Sequence, residues 1–206
     1  MDPRWVVQQV SWPREMAAAV REFADTGELA WLDSAVTDDL QTAPARYSLV
    51  CRDPVALLEE IDGARAEFLV AGKIVATDTN GWELWRRVLR RTACWPPATW
   101  GISPGWVGYV GFEMARHLER LPSSHREDLG LPLLRMELYD RGIVLDHYRC
   151  RAFAVAGVGM RSKLGLTELP LEALVEDWEQ AVSAESPPRC PSLPRLCFDM
   201  DRRTYE

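Results

Sequence analysis

The sequence of 206 residues predicts a fold of mixed helices and strands, and three stretches support this prediction. A β-hairpin with its turn near Ala71 and Gly72 is predicted for AEFLVAGKIVAT (66–77). An amphipathic helix is predicted over 171–182, where apolar residues recur three and four positions apart. A third stretch, GWVGYVGFEMARHLERLP (105–122), changes from a β-prone run to a helix-prone one. With 47% hydrophobic residues, the chain can bury a sizeable core.

The elements of the first third of the chain follow from caps, glycines and apolar spacing. Ser11 and Pro13 are typical of the start of a first helix, and Gly27 is typical of its end. Strands are predicted over 28–34 and 46–51. The next stretch, DPVALLEEI (53–61), predicts a short helix, with a continued strand as the alternative.

The later elements end in a stretch of different composition. Asn80 is predicted to cap a helix whose apolar face consists of Trp82, Trp85, Val88 and Leu89. Two or three strands with tight connections are predicted over 133–158. Residues 183–196 include four prolines and predict an extended linker. Because 197–206 would then begin a further element too short to be stable, we expect the natural protein to continue.

Composition and charge argue against several classes of function. A net charge of −7 without a basic stripe argues against nucleic acid as the main partner. No run approaches the about 18 apolar residues of a membrane span, and the start of the chain lacks a secretory signal. The five cysteines are scattered without a C-x-x-C pair, so we expect free thiols in a reducing cytoplasm.

The glycines of the 105–122 stretch raise the question of phosphate binding. Their pattern is G-x-x-G-x-x-G, whereas a dinucleotide site needs G-x-G-x-x-G and a P-loop needs a G-K-[ST] ending. Glycines three apart in a strand also point to opposite faces, so they cannot form one cradle. We therefore expect them to allow bending or close approach of another element, and the following helix to expose paired charges.

Two groups of polar residues have spacings that suggest chemistry. His147 and Cys150 have a spacing found in metal ligands, but no second pair completes a tetrahedral site. Ser123, Ser124 and His125 could supply a nucleophile and a base, yet no nucleophile motif or orienting acid accompanies them. Neither group therefore predicts a metal or catalytic site.

Two further groups leave alternatives open. Three tryptophans close together in the chain form either a stacking platform for a ring-shaped ligand or, as we favour, a cover for the core: Trp95, Trp100 and Trp106. Asp33, Ser34 and Tyr47 lie at the ends of two neighbouring predicted strands. Their carboxylate, hydroxyl and phenol either bind a small polar ligand or belong to turns.

Four blocks of the chain share an order with a known family: WLDSA with ARYSLVCRDP, then GWVGYVGFEMARHLERLP, DLGLPLLRMELYDRGIVLDH and FDMDRRTYE. Taken together, they resemble component I of the chorismate-utilising synthases, which include aminodeoxychorismate synthase and anthranilate synthase. In the second block the family usually has glycine where this chain has Trp106, and tyrosine where it has Phe112. The LDSA form, where anthranilate synthases more often have LLES, favours the aminodeoxychorismate branch.

The resemblance implies an α+β fold of antiparallel sheets that are packed orthogonally and flanked by helices. It divides the chain into an N-terminal domain (1–182), a proline-rich linker (183–196) and the start of a chorismate-binding domain (197–206). The family's catalytic groups and its Mg²⁺-binding glutamates would lie beyond Glu206. No catalytic, cofactor-binding or metal-binding residue is therefore expected in this chain.

The resemblance also implies partners and a function. A glutamine amidotransferase subunit is the expected partner, and Asp33, Ser34 and Tyr47 match the position of an L-tryptophan effector site. The expected function is the non-catalytic N-terminal part of aminodeoxychorismate synthase component I. That enzyme makes 4-amino-4-deoxychorismate for folate synthesis from chorismate and glutamine-derived ammonia. The alternatives are the same part of anthranilate synthase, in tryptophan synthesis, or a stand-alone module that binds an aromatic amino acid or docks on a glutaminase.

Overall fold

Two five-stranded antiparallel sheets, with helices packed against them, make up the fold. They are seen in a computed structural model that describes residues 4–24, 27–34, 46–61, 63–92, 101–120 and 130–184. The α+β class predicted from the sequence is therefore confirmed.

The elements follow one another as short strands and a few helices. The strands are β1 (Arg4–Val10), β2 (Leu29–Leu32), β3 (Tyr47–Arg52), β4 (Ala56–Glu60), β5 (Ala66–Val70), β6 (Lys73–Asp78), β7 (Trp106–Val110), β8 (Leu134–Leu138), β9 (Arg141–Asp146) and β10 (Arg151–Val158). The helices are α1 (Met16–Ala24), α2 (Gly81–Thr92), α3 (Met160–Lys163) and α4 (Leu171–Ser183), with a 3₁₀ helix over Phe112–His117.

The first sheet combines strands from both ends of the described chain. Its order is β1-β10-β9-β3-β2, and β1 pairs with β10 from Arg4 opposite Val158 to Val10 opposite Ala152. Helices α1 and α4 pack against one face of this sheet. There the rings of Phe23 and Trp178 pack edge to face, with ring centroids 5.5 Å apart. This first core therefore joins two helices that lie far apart in the sequence.

In the sequence, the five strands of the second sheet (β4 to β8) lie between β3 and β9, which are neighbours in the first sheet. Its order is β6-β5-β4-β8-β7, and α2 covers its apolar face. A third, smaller cluster lies on the other face of the first sheet and includes Leu49, Val144 and Tyr139. Val107 of β7 packs against this cluster, so the cluster connects the two sheets.

Several predicted elements are confirmed because local sequence determines them. β5 and β6 form the predicted hairpin, and the positive φ angles of Ala71 (47°) and Gly72 (74°) give its two-residue turn. Asn80 caps α2, since its Oδ1 accepts a hydrogen bond from the Glu83 N–H at 3.2 Å. The strands predicted over 28–34 and 46–51 are β2 and β3.

Other predicted elements differ from the structure. Residues 53–61 contain strand β4, so the short helix is wrong and its alternative, a strand, is found. Alternate residues of β4 are buried, and β4 pairs with a strand on each side. The helix after Gly111 is a single 3₁₀ segment whose buried residue is Met114. The first helix begins at Met16 instead of near Ser11 and Pro13, and strand β1 was not predicted.

Trp106 and Cys51 pack in the cores of the described chain. Trp106 packs against the second core, and its Nε1–H donates to Thr92 Oγ1 at 3.1 Å, as expected for a core tryptophan. Cys51 is buried, which raises the pKa of its thiol, whereas Cys150 is exposed. On α2 the buried residues include Val88 of the predicted face and also Leu84, which was not part of that face.

Some predicted features lie outside the described residues. They are Trp95 and Trp100, the cysteines at 94, 190 and 197, the cluster Ser123, Ser124 and His125, and all but the first two residues of the predicted linker with the segment 197–206.

Candidate functional site

Asp33 and Ser34 lie directly after β2 and share one partner on the neighbouring strand β3. The Ser34 N–H donates to Ser48 Oγ at 2.9 Å, and Ser48 Oγ donates to Asp33 Oδ1 at 2.9 Å. Ser48 is fully buried, whereas Asp33 is exposed. The structure therefore brings two of the three predicted site residues together, through a serine that the sequence analysis did not single out.

His147 completes this group, which we call the Ser48 cluster (Asp33, Ser34, Ser48 and His147). Its Nε2 lies 2.7 Å from Ser48 Oγ, and its ring meets Trp12 edge-on with centroids 5.7 Å apart. The Ser48 hydroxyl has a single hydrogen, which it donates to the carboxylate of Asp33. His147 must therefore donate from Nε2, so this nitrogen carries a proton.

The Ser48 cluster contains serine, histidine and aspartate, but in an order that does not support nucleophilic catalysis. An activated serine donates its proton to a histidine, which is in turn oriented by an acid. Here the serine donates to the acid and accepts from both the histidine and a backbone N–H. Ser48 also has no solvent exposure. The cluster therefore fixes the ends of β2 and β3 and is not equipped for acyl transfer.

Tyr47, the third predicted residue, points away from the Ser48 cluster, because neighbouring residues of a strand face opposite sides. Its ring packs against the third apolar cluster, and the Arg46 guanidinium lies 4.8 Å from the ring centroid. Tyr47, Arg46 and Phe153 are among the residues that line a cleft of about 160 Å³ on this face, which we call the Tyr47 cleft.

Arg46 and Asp146 form a bidentate ion pair at the Tyr47 cleft. Arg46 Nε and Nη2 donate to the two carboxylate oxygens of Asp146 at 2.9 and 2.6 Å, and the Arg149 N–H donates to Asp146 Oδ1 at 3.2 Å. Burial opposes ionisation of Asp146, but these hydrogen bonds and the charge of Arg46 outweigh burial and lower its pKa. Asp146 is therefore ionised over the physiological pH range.

The Ser34 side chain belongs to the same face of the sheet as Tyr47. The register that pairs Leu32 with Leu49, continued along β2, sets Ser34 opposite Tyr47. Its Oγ is buried and has no hydrogen-bond partner among the described residues. A buried hydroxyl without a partner has unused capacity to bind a polar group.

A second polar network was missed by sequence reasoning, and it links His117 of the glycine-rich block to Glu60 and Gly81. Glu60 of β4 is fully buried, its Oε2 accepts from the Gly81 N–H at 2.8 Å, and its Oε1 lies 2.6 Å from His117 Nε2. A Cβ at position 81 would lie 2.2 Å from Oε2, which explains the glycine there. Through Glu60, His117 ties the 3₁₀ helix to β4 and α2.

The missed residues share a signal that a single sequence shows only weakly. Ser48 begins a run of four buried residues in β3, and Glu60 ends the buried face of β4, on which Ala56 and Leu58 are apolar. A polar residue there needs a partner from elsewhere in the chain. The partners, His147 and His117, are 99 and 57 residues away, so sequence spacing could not identify them.

The described part of the chain offers neither a metal site nor a membrane span. It contains no group of three or more histidine, cysteine, aspartate or glutamate residues placed to hold a metal ion. Among the same residues, no helix has the length and apolar character needed to cross a lipid bilayer.

Comparison with known proteins gives a partial match to one family of enzymes. No protein-family model matches the sequence. The chain is 30% identical over 94 residues to anthranilate synthase alpha subunit 2, chloroplastic, from Arabidopsis thaliana, covering 43% of this chain and 15% of that protein. It is 23% identical over 121 residues to anthranilate synthase component 1 of Acetivibrio thermocellus, covering 58% of this chain and 24% of that protein.

A solved structure also matches. The crystal structure of anthranilate synthase component I from Streptococcus pneumoniae TIGR4 aligns with a TM-score of 0.49 at 19% identity, over 74% of this chain and 32% of that one. From the sequence matches, the chain is homologous to part of anthranilate synthase component I. It spans 15% and 24% of the lengths of the two curated relatives.

Proposed function

We propose that this chain forms the non-catalytic N-terminal part of an anthranilate synthase component I. The observation that carries the proposal is sequence homology to two anthranilate synthases from different organisms. The LDSA form of residues 32–35 had favoured aminodeoxychorismate synthase, but both curated relatives are named anthranilate synthases, so they favour the alternative. In this proposal the complete enzyme converts chorismate and glutamine-derived ammonia to anthranilate.

The proposal assigns no catalytic chemistry to the chain itself. The serine, histidine and carboxylate groups of the Ser48 cluster are engaged with one another, and Glu60 is buried against His117. We expect the purified chain to form no anthranilate and no 4-amino-4-deoxychorismate from chorismate, ammonium and Mg²⁺. Fluorescence of anthranilate and chromatography of the products measure this, with an intact anthranilate synthase as the positive control. Turnover above the enzyme-free blank would overturn the assignment of a non-catalytic part.

We further propose that Asp33, Ser34 and Tyr47 contribute to an L-tryptophan effector site. Two observations support this proposal. The Ser34 hydroxyl has no hydrogen-bond partner among the described residues, and Tyr47 lines the Tyr47 cleft. Titration calorimetry should show L-tryptophan binding that Ser34→Ala and Tyr47→Phe weaken. Ser162→Ala is a matched control, because Ser162 is exposed and lies on α3. Binding that survives both site substitutions would contradict the site.

A glutamine amidotransferase subunit is the proposed partner of the whole enzyme. Homology to anthranilate synthase component I supports this partner, since such components work with a glutaminase in general. We expect the chain to form a complex with the glutaminase subunit of an anthranilate synthase, measured by size-exclusion chromatography with light scattering. Failure to associate, together with tryptophan binding, would instead favour a stand-alone aromatic amino acid-binding module.

A further inference from the structure

A second cavity lies on the second sheet, far along the chain from Asp33, Ser34 and Tyr47. It has a volume of about 410 Å³ and is enclosed by the β5–β6 hairpin, α2 and α3; we call it the hairpin cavity. This volume lies within the range of about 300–1,000 Å³ typical of small-molecule sites. Much of its lining is apolar and includes Phe68, Val70, Leu84, Val88, Met160 and Leu164.

The hairpin cavity also has cationic side chains on two different helices. Arg87 and Arg91 of α2 and Lys163 of α3 line it, and all three are exposed. Arg87 is neutralised by Asp78, whose Oδ2 lies 2.6 Å from Arg87 Nη1. Arg91 and Lys163 have no carboxylate within 4.0 Å among the described residues. The whole chain carries a net charge of −7, so the positive charge at this cavity is opposite in sign to that of the chain.

A β-bulge shapes the same cavity. Phe68 pairs with Ala76 and Leu69 pairs with Ile74, which leaves Val75 as the extra residue of β6. A bulge redirects a side chain and is common beside functional sites. Val75 lines the cavity, and 57% of its surface is exposed. The bulge therefore places an apolar side chain at a position open to solvent, where a polar residue is more usual.

We infer that the hairpin cavity binds a small amphipathic monoanion, a carboxylate with an apolar body. The body would occupy the apolar chamber, and the carboxylate would lie at the exposed side chains of Arg91 and Lys163. A cationic ligand would be repelled there, and a neutral apolar ligand would leave both positive charges without a partner. This inference is independent of the proposed function, because it uses none of the residues of the effector site.

Titration calorimetry with octanoate, 1-octanol and octylammonium tests the inference. The three probes share one apolar chain and differ in the charge of the head group. We expect saturable binding of one octanoate per chain, weaker binding of octanol and none of octylammonium. Octanoate binding should also weaken as salt is raised from 20 to 300 mM, because its charge interactions are exposed to solvent.

Matched pairs of variants assign the binding to the cavity. The double variant Arg91→Gln/Lys163→Gln should weaken octanoate binding roughly five- to tenfold and leave octanol unchanged. The control Arg86→Gln/Arg90→Gln also removes two positive charges, but neither residue lines the cavity. Val75→Trp should block the cavity, whereas Ile74→Trp, at a similarly exposed position outside it, should not.

The inference fails under any of three results obtained with variants whose thermal unfolding matches that of the wild type. The first is the absence of saturable octanoate binding. The second is equal weakening by the two double variants, which would indicate a general charge effect. The third is unchanged octanoate binding in Val75→Trp, which would place the ligand elsewhere.

Discussion

Ser48 shows how much of a strand end can depend on one buried hydroxyl. It accepts from the Ser34 N–H and from His147 and donates to Asp33, so its removal leaves three groups without this partner. We expect Ser48→Ala to lower the free energy of unfolding by about 1–3 kcal/mol, the cost of buried polar groups left unsatisfied. Urea denaturation followed by circular dichroism measures this loss.

Ser34→Ala is the matched control for Ser48→Ala. The Ser34 hydroxyl makes no hydrogen bond among the described residues, while its backbone N–H, which alanine keeps, makes the bond to Ser48. Its removal should change the free energy of unfolding by less than about 0.5 kcal/mol. Equal losses in the two variants would show that the Ser48 network contributes nothing beyond local packing.

Asp146 gives a prediction for the pH dependence of stability. Its pKa in the folded protein is below the usual value of aspartate, about 3.9 in the unfolded chain. The ionised carboxylate therefore stabilises the fold above about pH 4, and this contribution is lost as the pH falls through the folded pKa.

We expect Asp146→Asn to lower the free energy of unfolding at pH 7, and to lower it by progressively less as the pH approaches 3. Urea denaturation at pH 7, 5 and 3 measures the difference, and Arg46→Met should follow the same pH dependence. A destabilisation that is constant over this range would contradict the role of the ion pair.

At the scale of elements, Gly108 of the glycine-rich block is required by the close approach of β7 to β8. A Cβ at this position would lie 2.0 Å from the Arg135 carbonyl oxygen of the neighbouring strand β8. Because backbone cannot move aside cheaply, Gly108→Ala should cost about 3 kcal/mol of unfolding free energy. Gly105→Ala is the control, since a Cβ there would meet no atom within 4 Å. Thermal unfolding compares the two, and a similar small effect of both would contradict close approach of the strands.

The Glu60 network joins β4, α2 and the 3₁₀ helix, and a double-mutant cycle tests it. His117→Ala removes the partner of one oxygen of a fully buried carboxylate and should cost about 3 kcal/mol. In the double variant Glu60→Gln/His117→Ala the buried group is a neutral amide that can still accept from the Gly81 N–H. We expect the second substitution to recover part of the loss. Additive losses in the cycle would show that the two residues do not interact.

Elements set by neighbouring residues could be predicted from the sequence, and elements set by distant ones could not. The β5–β6 hairpin and the Asn80 cap depend on contacts within a few residues. Strand β1 is stabilised by pairing with β10, about 150 residues away, and its own pattern gave no clear signal. In β4, the acidic and leucine-rich stretch has the composition of a helix, and pairing with β5 and β8 overrides that propensity.

The same distinction between neighbouring and distant residues applies to the candidate site. Asp33, Ser34 and Tyr47 were identified from the ends of adjacent strands and from a family resemblance. Their division between two faces follows from strand alternation, because Ser48 faces α1 and α4 whereas Tyr47 faces away. The partners that complete each face, His147 and Asp146, come from the far end of β9, and only the strand order brings them there.

At the scale of the whole molecule, the nested topology predicts that the two sheets unfold together. The chain passes from β3 to β4 and from β8 to β9 through short connections, and Tyr139 in the second connection is fully buried. Its hydroxyl donates to Glu137 at 2.5 Å, and its ring packs in the third cluster, where Val107 of the second sheet also packs. Loss of the first sheet would therefore expose apolar surface of the second.

Trp178→Ala tests this coupling from the first core. Trp178 is fully buried in α4, contacts Phe23 and donates its Nε1–H to the Ser11 carbonyl at 2.9 Å, so the substitution should cost about 3–5 kcal/mol. With coupled sheets, the free energies of amide hydrogen exchange should fall by the same amount in β10 and in β5. Leu84→Ala in the second core should likewise affect both strands equally, with a cost of about 2–5 kcal/mol. Faster exchange confined to the substituted sheet would show that each sheet unfolds on its own, and the third cluster would then contribute little to cooperativity.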